Sequence, residues 1–332
     1  MNNRRDFLKT AATGAVLLGS QNKLGLAAML DQPGQHAAGK SKVVVARDPQ
    51  LHGADGQLDE KRVQALLDLA IHNYTGIERP VDAWKHLVPV GKTIGLKVNG
   101  LGGKGVCTHT ALIMAVCERL QQAGVKPGEI IVWEQRTSFL QACGFSNQND
   151  PSRIRTLSSE VVGYESDPVA FGTAKVKLSK LLTQCEMVIG MPILKDHQLS
   201  GVTFAMKNMY GVVERPQELH AHGCNPSVAD LNCIPEIRRK VRFTIGDAIS
   251  SVYHGGPTFH PEFLWHPNTL IVGEDRVAVD HIAAQMIDKQ RVAKGMKTVE
   301  ADGRPARYIE TAADAQHNLG TNDPSRIHLL EV

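Results

Sequence analysis

The chain has no run of about eighteen consecutive apolar residues, which excludes a bundle of membrane-spanning helices and an integral membrane protein. It also lacks an excess of one charge. Its 332 residues carry 37 basic and 34 acidic side chains. Four of the basic ones (Arg4, Arg5, Lys9 and Lys23) and a single acid (Asp6) fall in the first 27 residues, so the remainder holds 33 of each. A neutral body lacks the basic surface that displaces counterions, and no nucleic-acid partner is expected. A G-x-S-x-G elbow is missing, which speaks against a serine-nucleophile hydrolase. Internal repeats and low-complexity tracts are missing as well. What remains is 42% hydrophobic and 21% charged, with 30 Gly and 16 Pro, the composition of an ordinary globular protein. The length allows one large domain or two modest ones.

The N-terminus carries a destination. Asn3-Arg4-Arg5-Asp6-Phe7-Leu8-Lys9 precedes a weakly apolar run, Thr10 to Ser20, too short to span a bilayer unaided. Paired arginines before such a run form a twin-arginine export signal, as opposed to an amphipathic first helix of the fold. Gly25-Leu26-Ala27 is a small-x-small site, which places cleavage near Ala27. Residues 1–27 are therefore expected to be a signal peptide handled by the Tat translocase, 28–40 a linker, and 41–332 an α/β domain in the periplasm.

Beyond residue 40 strand and helix signals alternate. Lys42–Arg47, Thr93–Val98, Ile130–Glu134, Glu186–Leu194, Val241–Asp247 and Thr269–Gly273 read as buried strands. Residues 59–74 put Val63, Leu66, Leu67, Ala70, Ile71 and Tyr74 on one helical face, and 109–123 do the same with Leu112, Ile113, Val116, Cys117 and Leu120. Further helical patterns fall at 200–213, 226–238, 275–288 and 308–318. This spacing predicts an α/β fold with a largely parallel sheet flanked by helices, in one main domain. Residues 136–175 and 214–226 read as loop insertions over the sheet.

In such a sheet, ligands bind beyond the carboxyl ends of the strands. Lys97 and Asn99 follow the second predicted strand and Glu134 and Arg136 the third. Lys195, Asp196 and His197 follow Val188–Leu194, and Asp247 ends its own strand. Polarity resumes at any strand end, but two lysines gathered with a histidine, an asparagine and an aspartate favour a small anionic ligand. Gly100-Leu101-Gly102-Gly103-Lys104-Gly105 fits G-x-G-x-x-G, yet Val106-Cys107-Thr108 separates its third glycine from the helix, and the candidate acid Glu134 lies late. The expectation is a flexible loop near the site, with a nicotinamide- or flavin-dependent oxidoreductase as the alternative.

Several separated motifs resemble a known family. They are Lys195-Asp196-His197, Gly201-Val202-Thr203 leading to Lys207-Asn208 and Gly211, then His220, Cys224, Asp230, Asn232, Asp247, Gly255-Gly256-Pro257 and Asp275–Asp280. Together they resemble the domain-of-unknown-function 362 family in its twin-arginine-exported bacterial branch, from about Lys92 onward. The resemblance implies no settled activity. Some relatives carry added ferredoxin-type cysteine clusters; this chain has no C-x-x-C, so no cluster of that type is expected. Glu134 stands where an Asp is commoner, and Asp275-Arg276 where Asp-Pro is usual.

Read on their own chemistry, Lys207 and Asn208 sit on a helix of small and apolar residues. There Lys207 is either desolvated, with a lowered pKa suited to proton transfer or imine chemistry, or packed by its stem with its ammonium in water. Lys195 and His197 point the same way in an extended chain, and Asp247 or Asp230 could orient His197 as a general base. The candidate catalytic set is thus Lys195, His197, Lys207, Asn208 and Asp247, with Lys97, Asn99, Arg136, Asp230 and Asn232 lining the ligand. In His220-Ala221-His222-Gly223-Cys224, alternation in an extended segment would turn two imidazoles and a thiol to one side, a set suited to Zn, Fe or Cu. Asp230, Asn232 or His197 could complete the shell, although only His220 and Cys224 belong to the resemblance. Pro216, Gly223 and Pro226 mark a loop, which need not hold alternation. Cys117 and Cys185 read as buried apolar residues. Cys107 stands before a helix start with His109 two residues away, either a nucleophile or ligand, or a structural thiol. Three functions remain open: an exported enzyme or sensor holding an anion or a metal, a dinucleotide-dependent oxidoreductase, and a non-catalytic periplasmic binding or assembly protein.

Overall fold

In strands, side chains alternate between the two faces, and this alternation sets the core. Ile130 and Val132 of one strand pack into a cluster with Leu66, Leu67, Leu112 and Val116, whereas Ile131 and Trp133 join Val228, Leu231 and Tyr308 on the opposite face. Each fully buried aliphatic chain contributes about 1.5–3 kcal/mol.

The computed structural model describes residues 39–53 and 56–332; the expected signal peptide (residues 1–27) and nearly all of the expected linker (28–40) lie outside the described residues. Ala38–Val332 pack as one unit. Its strands are β1 (Ser41–Arg47), β2 (Ile94–Lys97), β3 (Ile130–Glu134), β4 (Arg155–Ser158), β5 (Val169–Phe171), β6 (Ala174–Val176) and β7 (Met187–Gly190). There follow β8 (Ile193–His197), β9 (Gly201–Thr203), β10 (Val241–Val252), β11 (Leu264–Trp265), β12 (Thr269–Gly273) and β13 (Ile327–Glu331). The main sheet runs β13-β1-β12-β10-β7-β2-β3-β4, and β5 and β6 form a separate hairpin. Only β12 runs against its neighbours in that order; the other pairings are parallel. The protein is an α/β fold with a largely parallel sheet, as the alternating pattern predicts.

Helices cover both faces. Helix α1 (Glu60–Thr75) buries the stripe Val63, Leu66, Leu67, Ala70 and Ile71; the Asp59 carboxylate caps its start and Gly76, at φ 74°, ends it. Helix α2 (Thr110–Gln122) lies beside it. The opposite face carries α3 (Ser227–Cys233), α4 (Arg276–Ala293) and α5 (Arg307–Ala313). The Asp275-Arg276 departure leaves the strand-to-helix turn intact. Asp275 accepts from the Val277 and Ala278 amides, and its other oxygen accepts from the Ser41 hydroxyl at 2.6 Å and the Thr321 amide at 3.0 Å. No helix among the described residues is long and apolar enough to cross a membrane.

Several expected elements differ. Residues 136–175, expected as a loop insertion, supply β4, which pairs parallel with β3 at the edge of the main sheet, and the helix expected over 226–238 is split into Ser227–Cys233 and Pro235–Lys240. The strand at Glu186–Leu194 is broken into β7 and β8, with Met191-Pro192 between them, because Pro cannot donate to the ladder. The helix expected over 200–213 is instead β9 followed by a short 3-10 segment, Lys207–Val212. Gly201 sits at φ 71° against the Arg304 carbonyl, which starts a strand pairing back onto β8.

Candidate functional site

Strands β2, β3, β7 and β10 run parallel, so their carboxyl ends meet at one edge of the sheet. Lys97 closes β2 with its side chain fully buried. Its ammonium donates to the Val98 carbonyl at 2.7 Å, to Glu134 Oε1 at 3.2 Å and to Asn208 Oδ1 at 3.4 Å. Glu134 is itself held by the amides of Gly100 and Gln135. Asn208 returns its amide to the Lys97 carbonyl at 2.9 Å. Gly211 covers this ammonium closely enough that a Cβ there would lie 2.6 Å from Lys97 Nζ.

Asn99 links the second lysine. Its Nδ2 donates to Asn208 at 3.1 Å, and its Oδ1 accepts from Lys195 Nζ at 2.8 Å. Burial pushes the Lys195 ammonium down to about 8, with the nearby Glu134 charge opposing that fall. His197, two residues on and also buried, accepts the Leu199 and Ser200 amides at Nδ1, at 3.1 and 3.3 Å, which leaves the proton on Nε2. Burial first, then the charges of Lys207, His220 and Lys195, pushes its pKa down to about 2, so it is neutral.

Lys207 forms the third centre. Its ammonium lies 4.0 Å from the Tyr210 ring centroid and 3.3 Å from His220 Nε2. His220 Nδ1 lies 2.9 Å from the Pro216 carbonyl, an acceptor only, so Nδ1 carries the proton and Nε2 accepts from Lys207. The His220 ring stacks at 6.0 Å on His197. Burial pushes Lys207 down to about 8, with the Cys224 side chain opposing. Lys195, His197, Lys207 and Asn208 therefore lie in one cluster with Lys97, Asn99, His220 and Cys224. Among the described residues neither Lys195 nor Lys207 has a carboxylate within salt-bridge distance; Glu134 is spent on Lys97. Asn99 and His220 are the half-buried members that reach the surface.

Other expected members are elsewhere. Asp247 is buried but turns to His109, accepting from its amide and from Nδ1, both at 2.8 Å. Burial depresses the His109 pKa, yet the charge and hydrogen bond of Asp247 carry it above the ordinary value. Asp230 accepts from Thr173 at 2.7 Å and faces His317 Nε2 at 3.0 Å; Asn232 holds the Met206 carbonyl at 3.0 Å and receives Arg276. Neither orients His197, whose acceptor nitrogen is occupied by backbone amides, and both serve the packing of α3. Arg136 is exposed over Phe139 and joins no cluster. The expected metal set fails for a backbone reason. His222, Gly223 and Cys224 are at φ 51°, 68° and 64°, a left-handed turn that leaves His222 exposed while His220 and Cys224 converge on Lys207. No three His, Cys, Asp or Glu side chains among the described residues are placed to hold a metal ion.

The glycine loop is no phosphate cradle. Side chains at Gly100, Gly102 and Gly105 would strike the Phe139 carbonyl, Val106 and the Phe259 ring, so the protein's own packing requires these glycines. At the start of α2, the anion on the His109 amide is the Asp247 carboxylate. Sequence reasoning did not assign Glu134 or Tyr210 to the site; Glu134, which ends β3 beside Lys97, was the one with a readable signal.

The model of the Domain of unknown function (DUF362) matches residues 94–285. The chain belongs to the domain-of-unknown-function 362 family. The span matched by this family includes every lysine and histidine of the cluster and stops short of Arg304 and His317. No curated protein matches the chain. Among solved structures it is similar to a Thermotoga maritima protein from a structural-genomics programme, at 12% identity and TM-score 0.41, over 70% of this chain and 59% of that one. It is also similar to the lactate racemase apoprotein of Thermoanaerobacterium thermosaccharolyticum, at 10% identity and TM-score 0.40, over 78% of this chain and 59% of that one. The chain thus spans about three-fifths of the length of both.

Proposed function

We propose that this protein binds a small anionic ligand at the Lys195–Lys207 cluster, with Lys207 as the group that holds or moves a proton on it. One observation carries this reading: two buried ammonium groups lack a carboxylate partner among the described residues. Burying an unpaired ammonium costs several kcal/mol, and a bound anion offsets that cost. His197 is held neutral with its Nε2–H free of backbone, and the Lys207–His220 contact supplies a proton path to the half-buried imidazole. A lysine titrating near neutrality is suited to proton transfer. The arrangement favours this reading over a dinucleotide oxidoreductase, since Asp247 occupies the α2 start, and over a metal centre, since the left-handed turn leaves His222 exposed, away from His220 and Cys224.

The test is a thermal-shift titration with inorganic phosphate and with acetate, repeated in Lys195→Met and Lys207→Met. A saturable rise in Tm in the wild type that is lost in both variants supports the site. No response to either anion, or the same response in the variants, rejects it.

We further propose export by the twin-arginine route to the periplasm, which rests on Arg4-Arg5 and the weakly apolar run behind them. Replacing Arg4 and Arg5 with Lys is expected to leave precursor in the cytoplasm. Undiminished periplasmic protein would reject the assignment.

A further inference from the structure

The turn after helix Thr137–Ala142 carries a thiol that the anion site does not use. Cys107 Sγ donates to the Ala142 carbonyl at 3.1 Å, which sets it against the turn that carries the next residue, Cys143. The two segments are clamped. Thr110 donates to the Cys143 carbonyl at 2.8 Å, and Gly144, at φ 89°, lets the turn close against Thr110. Cys107 also sits just before α2, two residues from His109, whose imidazole is held by Asp247. The nearby His109, whose pKa burial lowers but the Asp247 carboxylate carries above its ordinary value, favours a thiolate, while the Asp247 charge itself opposes it.

We propose that Cys107 and Cys143 form a redox-active dithiol that exchanges with low-molecular-weight disulfides. Cys107 is the attacking sulfur because it is the less buried of the two, 9% exposed against 0%. Its thiolate attacks one sulfur of the disulfide, the S–S bond breaks, and the far half leaves as a thiolate. Cys143 then gives its proton to that thiolate and attacks the Cys107 sulfur, the mixed S–S bond breaks, and the second half leaves as a thiolate that takes up the proton Cys107 released to solvent on ionising. One disulfide is reduced to two thiols, and the pair is oxidised to one S–S bond. The direction of the shifts fits these roles. The hydrogen bond from Cys143 draws Cys107 below the ordinary thiol value against the opposing effect of burial, with the His109 charge adding to the fall; the same hydrogen bond and burial raise Cys143. Burial pushes Cys117 and Cys185 up to about 12, which keeps both as inert thiols.

The assignment is independent of the lysine cluster, and its test uses no anion. The full chain is incubated with oxidised glutathione and mapped by non-reducing peptide mass spectrometry. The expected product is a 107–143 linkage, reversed by dithiothreitol. In Cys143→Ser the reaction should stop at a glutathione adduct on Cys107. The native wild type, with no variant needed, should alkylate at Cys107 more than about tenfold faster than at Cys117. A wild type that forms no 107–143 linkage, or that alkylates Cys107 and Cys117 at equal rates, overturns the proposal.

Discussion

Replacing Lys207 with Met tests whether the buried ammonium serves function at the expense of the fold. Burial carries the lysine from 10.5 to about 8. At about 1.4 kcal/mol per pH unit, this is about 3 kcal/mol of native-state destabilisation. The sign follows from proton counting. Between pH 8 and 10.5 the unfolded chain holds a proton that the native state has released, so stability rises with pH through that window. Below pH 8 both states are protonated and the full penalty stands. Methionine fills a similar volume without charge and removes the penalty, but it forfeits the contact with the Tyr210 ring, worth about 1–2 kcal/mol when desolvated. The net expectation at pH 7 is a variant about 1–2 kcal/mol more stable than the wild type, with no response to added phosphate. Urea unfolding at pH 7 and at pH 10.5 measures it: the gap between the proteins should shrink or reverse at the higher pH. A Met variant that is less stable at pH 7, by an amount that does not change with pH, would refute the reasoning and leave Lys207 as a structural residue.

Two further outcomes follow from the same geometry. Gly211→Ala places a methyl 2.6 Å from an ammonium pinned by three partners, and a loss of about 1–3 kcal/mol by urea unfolding is expected; an unchanged midpoint would show that Lys97 is free to move. His317 lies between Asp230 at 3.0 Å and Asp314 at 2.8 Å; burial lowers its pKa, but these two partners carry it above 6.5. Its contribution is complete below pH 6.5 and fades as pH rises through the folded-state value, so His317→Gln should flatten the decline in Tm above pH 6.5. Parallel Tm profiles for the two proteins would exclude this pairing.

The parts of the fold set by local pattern were legible in the sequence. Apolar runs located β3 and β12 to the residue, and the stripe from Val63 to Ile71 located α1. The grouping of Lys97, Asn99, Lys195 and His197 was legible because parallel strands bring their ends to one edge. Three features were not. The partner of Asp247 is His109, 138 positions away, and no local signal marks such a pairing. Lys207 was read on a helix because Val202, Phe204, Ala205 and Met206 are apolar without a period that separates strand from turn; the positive φ of Gly201 decided the matter. The alternation His220-x-His222-x-Cys224 would bind metal only in an extended chain, and three consecutive left-handed residues remove that geometry.

The reversed strand β12 has a consequence for the order in which the chain can fold during synthesis. Among the described residues β1 has β12 on one side and β13 on the other, and no other strand neighbour. Both partners are translated near the end of the chain, so the apolar stretch Val43–Ala46 leaves the ribosome long before anything can pair with it. Contacts of that sequence separation form late, because loop closure must precede any gain from pairing. Until residue 273 has emerged, β1 is an unsatisfied apolar strand of the kind that pairs with other chains. A chain broken off before β12 therefore carries its aggregation-prone strand at the front. A carrier holding the N-terminal segment during elongation would protect the nascent chain at the place where it is most exposed.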